Sequence, residues 1–258
     1  MIRREARDGV VYYISELLER AAVPHAFSTR IGGISEGPFA SLNLGNATGV
    51  REQDSPENIH SNFDRLQRAI GVEELNRCWV HQVHGREVAD VQAGFESGCK
   101  ADALMTCDPQ QLLSIRIADC IPLLFSSFDG AVVAAVHAGW RGVVERIAVH
   151  ALARMKTPAR EILCAIGPCI GFDAFEVGGE VLAAFDPRFC RRRDDGKGYI
   201  DLREALRQQL MDAGVREDQI DVSDRCTFRD ADEFFSHRRD KGITGRMAAV
   251  IAPRWSGK

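Results

Sequence analysis

The sequence predicts a mixed α/β fold in a single domain, and three observations carry that reading. Short β-branched apolar runs alternate with amphipathic, helix-like segments along the 258 residues. The alternation keeps no regular strand–helix period, and no G-x-G-x-x-G follows a strand-like run, which argues against a dinucleotide-binding domain or a TIM barrel. No internal repeat, low-complexity tract or linker interrupts residues 1–258, so one domain accounts for the whole length.

Each element follows from its local pattern. "VVYYI" (10–14) reads as a strand and "SELLERAA" as a short helix. "HAFSTRIGGISEGPFASLNLG" (25–45) starts as a strand and becomes a Gly-rich polar loop, either flexible surface or a site-forming segment. Ser55 caps the next helix, Pro56 occupies its first position, and Ile59, Phe63, Leu66 and Ile70 repeat at helical spacing up to Gly71. Residues 77–85, 86–91, 112–120 and 131–139 read as strands, followed by one helix over 142–155 with Val143, Ile147, Ala151 and Met155 on its apolar face. "EILCAIGPCIG" is a strand breaking into a Gly-Pro turn, and "VGGEVLAAF" a helix. "DLREALRQQLMDAG" is another, with Asp201 and Glu204 spaced as a capping box. "QIDVSDRCTF" and "RMAAVIA" are the closing strands.

Composition narrows the function classes. A net charge of −4 demands no polyanion, and Arg191-Arg192-Arg193 is followed at once by Asp194-Asp195, so no nucleic-acid partner is expected. No window approaches the roughly 18 apolar residues of a membrane span, and the charged start lacks a secretory h-region. The expectation is a cytoplasmic protein with no membrane partner. Eight cysteines without a Cys-x-x-Cys pair do not read as a disulfide framework.

Three apolar runs end in a metal-binding side chain: "HQVHG" offers His81 and His84, "IADC" offers Cys120, and "AVHAGWRG" offers His137. A hairpin around "SSFDG" (126–130) would bring Cys120 and His137 together. Thiolate and two imidazoles suit zinc, leave the fourth position open, and let the ion make hydroxide from water at neutral pH. The same Cys120 and His137 also suit a metal-free nucleophile and base, and a packed, hydrogen-bonded strand end remains the plainest reading of either alone. Arg30, Arg141 and Arg246 sit beside glycines or aromatics, where guanidinium groups bind phosphate or carboxylate, although each taken singly reads as a surface charge. Trp140 and Phe234-Phe235 read as a stacking surface or as core.

Ten segments then occur in a familiar order: "FSTRIGGISEGPFASLNLG", "QVHG", "ADALMT", "ADCIPLLF", "AAVHAGWRG", "IGPCIG", "FEVGGEV", "DRCTF", "FFSHRRD" and "TGRMAAVI". From about residue 25 to 252 the chain resembles the YfiH/laccase-domain family. That family carries an older description as multicopper polyphenol oxidase and a newer one as purine nucleoside phosphorylase with adenosine deaminase activity. The resemblance implies a layered α/β/β/α sandwich similar to cysteine-hydrolase-like toxin domains. It also implies a metal triad of His84, Cys120 and His137, with His81 a bystander. Purine nucleoside and phosphate are then the expected substrates and zinc the expected metal, with copper able to enter the same ligands. Some of Arg30, Arg141 and Arg246 would hold phosphate. Asp119 is either a proton carrier or a turn carboxylate, and Asn43 either a substrate contact or a turn residue. His237 stands where the family commonly has tyrosine. A multicopper cluster needs many histidines, and this chain has seven and no His-x-His. The alternatives are a metal-free Cys-His hydrolase or amidase, a copper-loaded polyphenol oxidase and a non-catalytic zinc-binding module.

Overall fold

The computed structural model describes residues 1–254. A hairpin of β1 (Ile2–Glu5) and β2 (Val11–Ile14) leads through α1 (Glu16–Arg20) to β3 (His25–Ser28). After the polar loop come α2 (Pro56–Ala69), β4 (Asn76–Trp79), β5 (Val88–Asp90) and β6 (Ala103–Thr106). Next are β7 (Gln111–Ile117), β8 (Ile121–Ser127) and β9 (Val133–Ala138), then α3 (Trp140–Val144), α4 (Ile147–Arg154) and β10 (Ile162–Ile166). A small excursion holds β11 (Glu176–Val177), α5 (Gly179–Leu182), β12 (Cys190–Arg192) and β13 (Gly198–Ile200). The path closes with α6 (Leu202–Asp212), β14 (Ile220–Val222) and β15 (Met247–Ile251).

Two six-stranded sheets form, in the orders β1-β2-β3-β15-β7-β4 and β14-β10-β8-β9-β6-β5, with β11-β13-β12 as a separate small sheet. Side-chain alternation explains how they stack. Met247, Ala249 and Ile251 of β15 face the second sheet, while Ala248 and Val250 meet Phe63 and Leu66 of α2. Ile121, Leu123 and Phe125 of β8 pack under α3, α4 and α6, while Leu124 faces the first sheet. The layers are therefore helix, sheet, sheet, helix, and strands covered on both faces read as unbroken apolar runs. The mixed α/β fold in one domain agrees with the sequence.

Local signals explain most boundaries. Ser55 Oγ accepts from the Asn58 N–H at 3.1 Å, and Asp201 accepts from the Glu204 N–H at 3.0 Å, capping α2 and α6. The capping box of α6 is only half made, because the Glu204 carboxylate turns to Arg207. The single helix expected over 142–155 is two helices. Arg146 adopts a left-handed conformation (φ 60°) between α3 and α4, yet Val143, Ile147, Ala151 and Met155 all stay in one core cluster.

Candidate metal centre and active site

The site forms where the chain crosses between the two sheets. The connections β4–β5 and β7–β8 both leave the first sheet and enter the second, and they carry His84 and Cys120. His137 is the penultimate residue of β9, which pairs with β8 through Pro122–His137 and Ile121–Ala138. The hairpin thus brings Cys120 beside His137, as the sequence predicts. One nitrogen of His84, Cys120 Sγ and one nitrogen of His137 all lie within 4.8 Å of one another. The imidazoles meet edge to face, with centroids 4.9 Å apart.

Asp102, just before β6 and fully buried, is what holds the two histidines in place. Its carboxylate accepts the backbone N–H groups of Val83 (3.1 Å), His84 (2.9 Å) and Gly85 (2.7 Å), folding "QVHG" into a tight loop in which His84 is left-handed (φ 60°). The same carboxylate accepts from His137 Nδ1 at 2.9 Å, which keeps a proton on Nδ1 and makes Nε2 the nitrogen that a metal would take once its own proton has left. Gln82 clamps this loop to β7, donating to the Arg116 carbonyl and accepting from its N–H, both at 2.8 Å. These contacts explain why the run over 77–85 is a strand only as far as Trp79.

Gly139 shows how closely the groups approach. A Cβ there would lie 2.9 Å from the His84 ring and 3.3 Å from Cys120 Sγ, so a side chain larger than hydrogen would push into the cluster. Burial acts to raise the Cys120 thiol, but His137 and His84 beside it outweigh that and hold it at about 6. Burial acts to lower His137, while the Cys120 sulfur and Asp102 bring it up to about 9. Burial works to raise the Asp102 carboxyl, and the hydrogen bonds from His137, Gly85 and Val83 keep it below its ordinary value. The three donors suit one borderline metal ion: soft and imidazole ligands, a thiol primed to ionise, and a second-layer carboxylate on one histidine. Among the described residues no fourth His, Cys, Asp or Glu joins the group, so the ion would keep an open position.

The cluster lies in the wall of a cleft of about 570 Å³, a volume ordinary for a small-molecule site. Asp119 (φ 90°) lines it, but both oxygens are engaged, accepting Thr227 Oγ1 and the Arg238 N–H at 2.7 Å each. Arg246 lines it as well, donating Nη1 to the Thr244 and Gly245 carbonyls. Asn43 is fully buried behind the wall; its Oδ1 accepts from Gly45 N and Arg246 N and its Nδ2 donates to Asp54. Arg30 and Arg141 are not in the lining. Arg30 stacks on Phe235 and donates to the carbonyls of Ala40 and Ala231. Arg141 is exposed and stacks on Trp140, which itself packs partly against the core. His81 lines the cleft outside the donor group. Sequence reasoning missed Asp102, Gln82 and Arg116. Arg116 lines the cleft, and burial lowers its guanidinium from the ordinary value.

Residues 24–254 match the family described as multi-copper polyphenol oxidoreductase laccase. The chain belongs to this family. It is similar to the purine nucleoside phosphorylase of Deinococcus radiodurans, 41% identical over 245 residues and 92% of each chain. It is also similar to the purine nucleoside phosphorylase YfiH of Escherichia coli, 39% identical over 231 residues, 87% of this chain and 91% of that one. The crystal structure of YlmD from Geobacillus stearothermophilus superposes with a TM-score of 0.87 at 33% identity, covering 98% and 99% of the two chains. Among the described residues no helix is long and apolar enough to cross a membrane.

Proposed function

We propose that the protein is a zinc-dependent purine nucleoside phosphorylase that also deaminates adenosine. Its substrates are adenosine, inosine, guanosine and methylthioadenosine, together with inorganic phosphate. The observation that carries this reading is the three-donor cluster, open on one side, in the wall of a nucleoside-sized cleft. The names of its relatives support the purine and phosphate chemistry. His84, Cys120 and His137 would hold the ion, which when bound supplies Lewis acidity to an oxygen at its open position. Asp102 keeps His137 in the ligating tautomer and the His84 loop folded. In phosphorolysis a phosphate oxygen bonds to C1′ while the C1′–N9 bond breaks, and the purine leaves with the electron pair and takes a proton. In deamination water adds at C6 and ammonia departs. Asp119 with both oxygens engaged suits the shaping of the Arg238 loop better than proton transfer.

The copper reading of the family description fares differently at this site. Seven histidines and a single three-donor cluster among the described residues do not fit a multicopper centre. One copper ion in the zinc ligands is chemically sensible, with oxidase activity then a property of the metal loaded. A second reading has an observation of its own: His137 lies between Cys120 and Asp102, as in a metal-free cysteine hydrolase. Chelation separates the two, because it leaves a hydrolase active and stops a zinc enzyme. A non-catalytic zinc module predicts a fourth protein ligand and no turnover.

The test is purified protein with inosine and adenosine, with and without phosphate, followed by chromatography for hypoxanthine, adenine and ribose 1-phosphate. The expected result is phosphate-dependent base release that is lost in His84→Ala and Cys120→Ala. Turnover no greater than in those variants would overturn the reading.

A further inference from the structure

Three arginines line the cleft without a carboxylate ion pair among the described residues: Arg116 and Arg246, both half-buried, and Arg238, which is exposed. Arg116 projects from β7 on the face opposite Ile115 and Ile117, which point between the sheets. Its guanidinium makes no hydrogen bond or ion pair to the described residues and lies over Trp79, 5.5 Å from the ring centroid. The chain makes room for it: a Cβ on Gly45 would lie 2.6 Å from Arg116 Cδ and 3.0 Å from Nη1. Arg246 enters from the loop before β15, its backbone held by Asn43 and its Nη1 on two carbonyls that carry no charge. Burial lowers the Arg246 guanidinium from its ordinary value; Cys120 and Asp119 nearby act to raise it and Arg116 to lower it.

A half-buried cation with no ion-pair partner is costly to keep, and a chain that holds two beside one cleft has built a place for an anion. The geometry points to Arg116 and Arg246 as the subsite for the tetrahedral oxyanion, inorganic phosphate, that is the second substrate of the proposed reaction. The assignment rests on the phosphorylase reading for the identity of the anion and on the two side chains for its place. Of the other arginines of the region, Arg30 and Arg141 are outside the lining, and Arg238, which lines the cleft, is exposed and donates to the Glu176 carbonyl. A guanidinium fork offers parallel N–H donors that match two phosphate oxygens, which lysine does not. Gln82 couples the subsite to the metal loop by gripping the Arg116 backbone, so phosphate and cluster are held in one frame.

The test is calorimetric titration of inorganic phosphate into the zinc-loaded full chain in chloride buffer, with melting curves and steady-state KM values for phosphate and inosine. Arg116→Met and Arg246→Met are expected to weaken phosphate binding about tenfold to a hundredfold and to raise the phosphate KM more than the inosine KM. Arg116→Lys should fall in between. Without phosphate, Arg116→Met should melt at or above the wild-type temperature, because an unpaired, half-buried charge has gone, and the same phosphate concentration should raise it less than the wild type. An unchanged phosphate Kd in the arginine variants would overturn the assignment, as would a destabilised Arg116→Met with wild-type phosphate affinity. If the methionine variants do not fold, Arg116→Lys and Arg246→Lys decide by the same Kd. Phosphate binding that depends on Arg116 in a protein that cleaves no nucleoside keeps the subsite and removes the phosphorylase reading. Nucleoside cleavage with an unaltered phosphate KM in the variants does the reverse.

Discussion

Asp102 shows what a single residue contributes that composition cannot reveal. Its four accepted hydrogen bonds come from two segments far apart in the chain, so no spacing rule points to it. In sequence it is one aspartate ahead of "ALMT", indistinguishable from a turn residue. The three donors were legible because each ends an apolar run, where a metal-binding side chain is out of place. Arg116 was hidden for the opposite reason: inside "LLSIRIADC" it reads as the solvent-facing position of an alternating strand, and only the fold shows a cleft on that side. Arg30 and Arg141 were drawn in by glycine and aromatic neighbours that prove to be packing partners. Asp102→Asn removes the charge while keeping the shape, and it is expected to weaken metal binding about tenfold to a hundredfold. Competition with a chromophoric chelator measures this, and an unchanged affinity would remove Asp102 from the metal's support.

At the scale of elements, α2 and α6 were legible because caps and apolar spacing agree. The α3–α4 break was not, because neither glycine nor proline marks it and the buried positions keep their helical spacing. α3 starts at Trp140, directly after Gly139 beside the cluster, while α4 packs on β6 and β9, and Arg146 turns the chain between them. Arg146 absorbs the turn in a conformation that costs a side chain about 1 kcal/mol and glycine nothing. Arg146→Gly is therefore expected to raise the melting temperature by about 2–4 °C. A lower melting temperature would show that the Arg146 side chain contributes more than its backbone costs.

For the whole molecule, the layer order was legible only through the resemblance; strand patterns alone gave mixed α/β without saying which sheet covers which. Pairing order depends on contacts between distant segments, such as β15 between β3 and β7, that no local signal encodes. The first sheet also carries an acid sensitivity. His25 is buried at the start of β3, with Nδ1 donating to the Val23 carbonyl and Nε2 accepting from the Ser15 N–H. Burial lowers its pKa below the ordinary 6.5, so the unfolded chain binds the proton more readily. Its stabilising effect is complete above about 6.5 and is lost as pH falls below that value toward the lower folded one. Melting curves from pH 7 to pH 5 should fall, and His25→Gln should flatten that part of the slope; an equal slope in the variant would place the sensitivity elsewhere.

The central claim is that one metal ion on His84, Cys120 and His137 supports phosphate-dependent cleavage of a purine nucleoside. Its most direct measurement is hypoxanthine release from inosine by chelator-stripped protein, before and after stoichiometric zinc, with and without phosphate. The account predicts no release from the stripped protein and restoration only when zinc and phosphate are both present. Full activity in the stripped protein, or none after reloading, would contradict it.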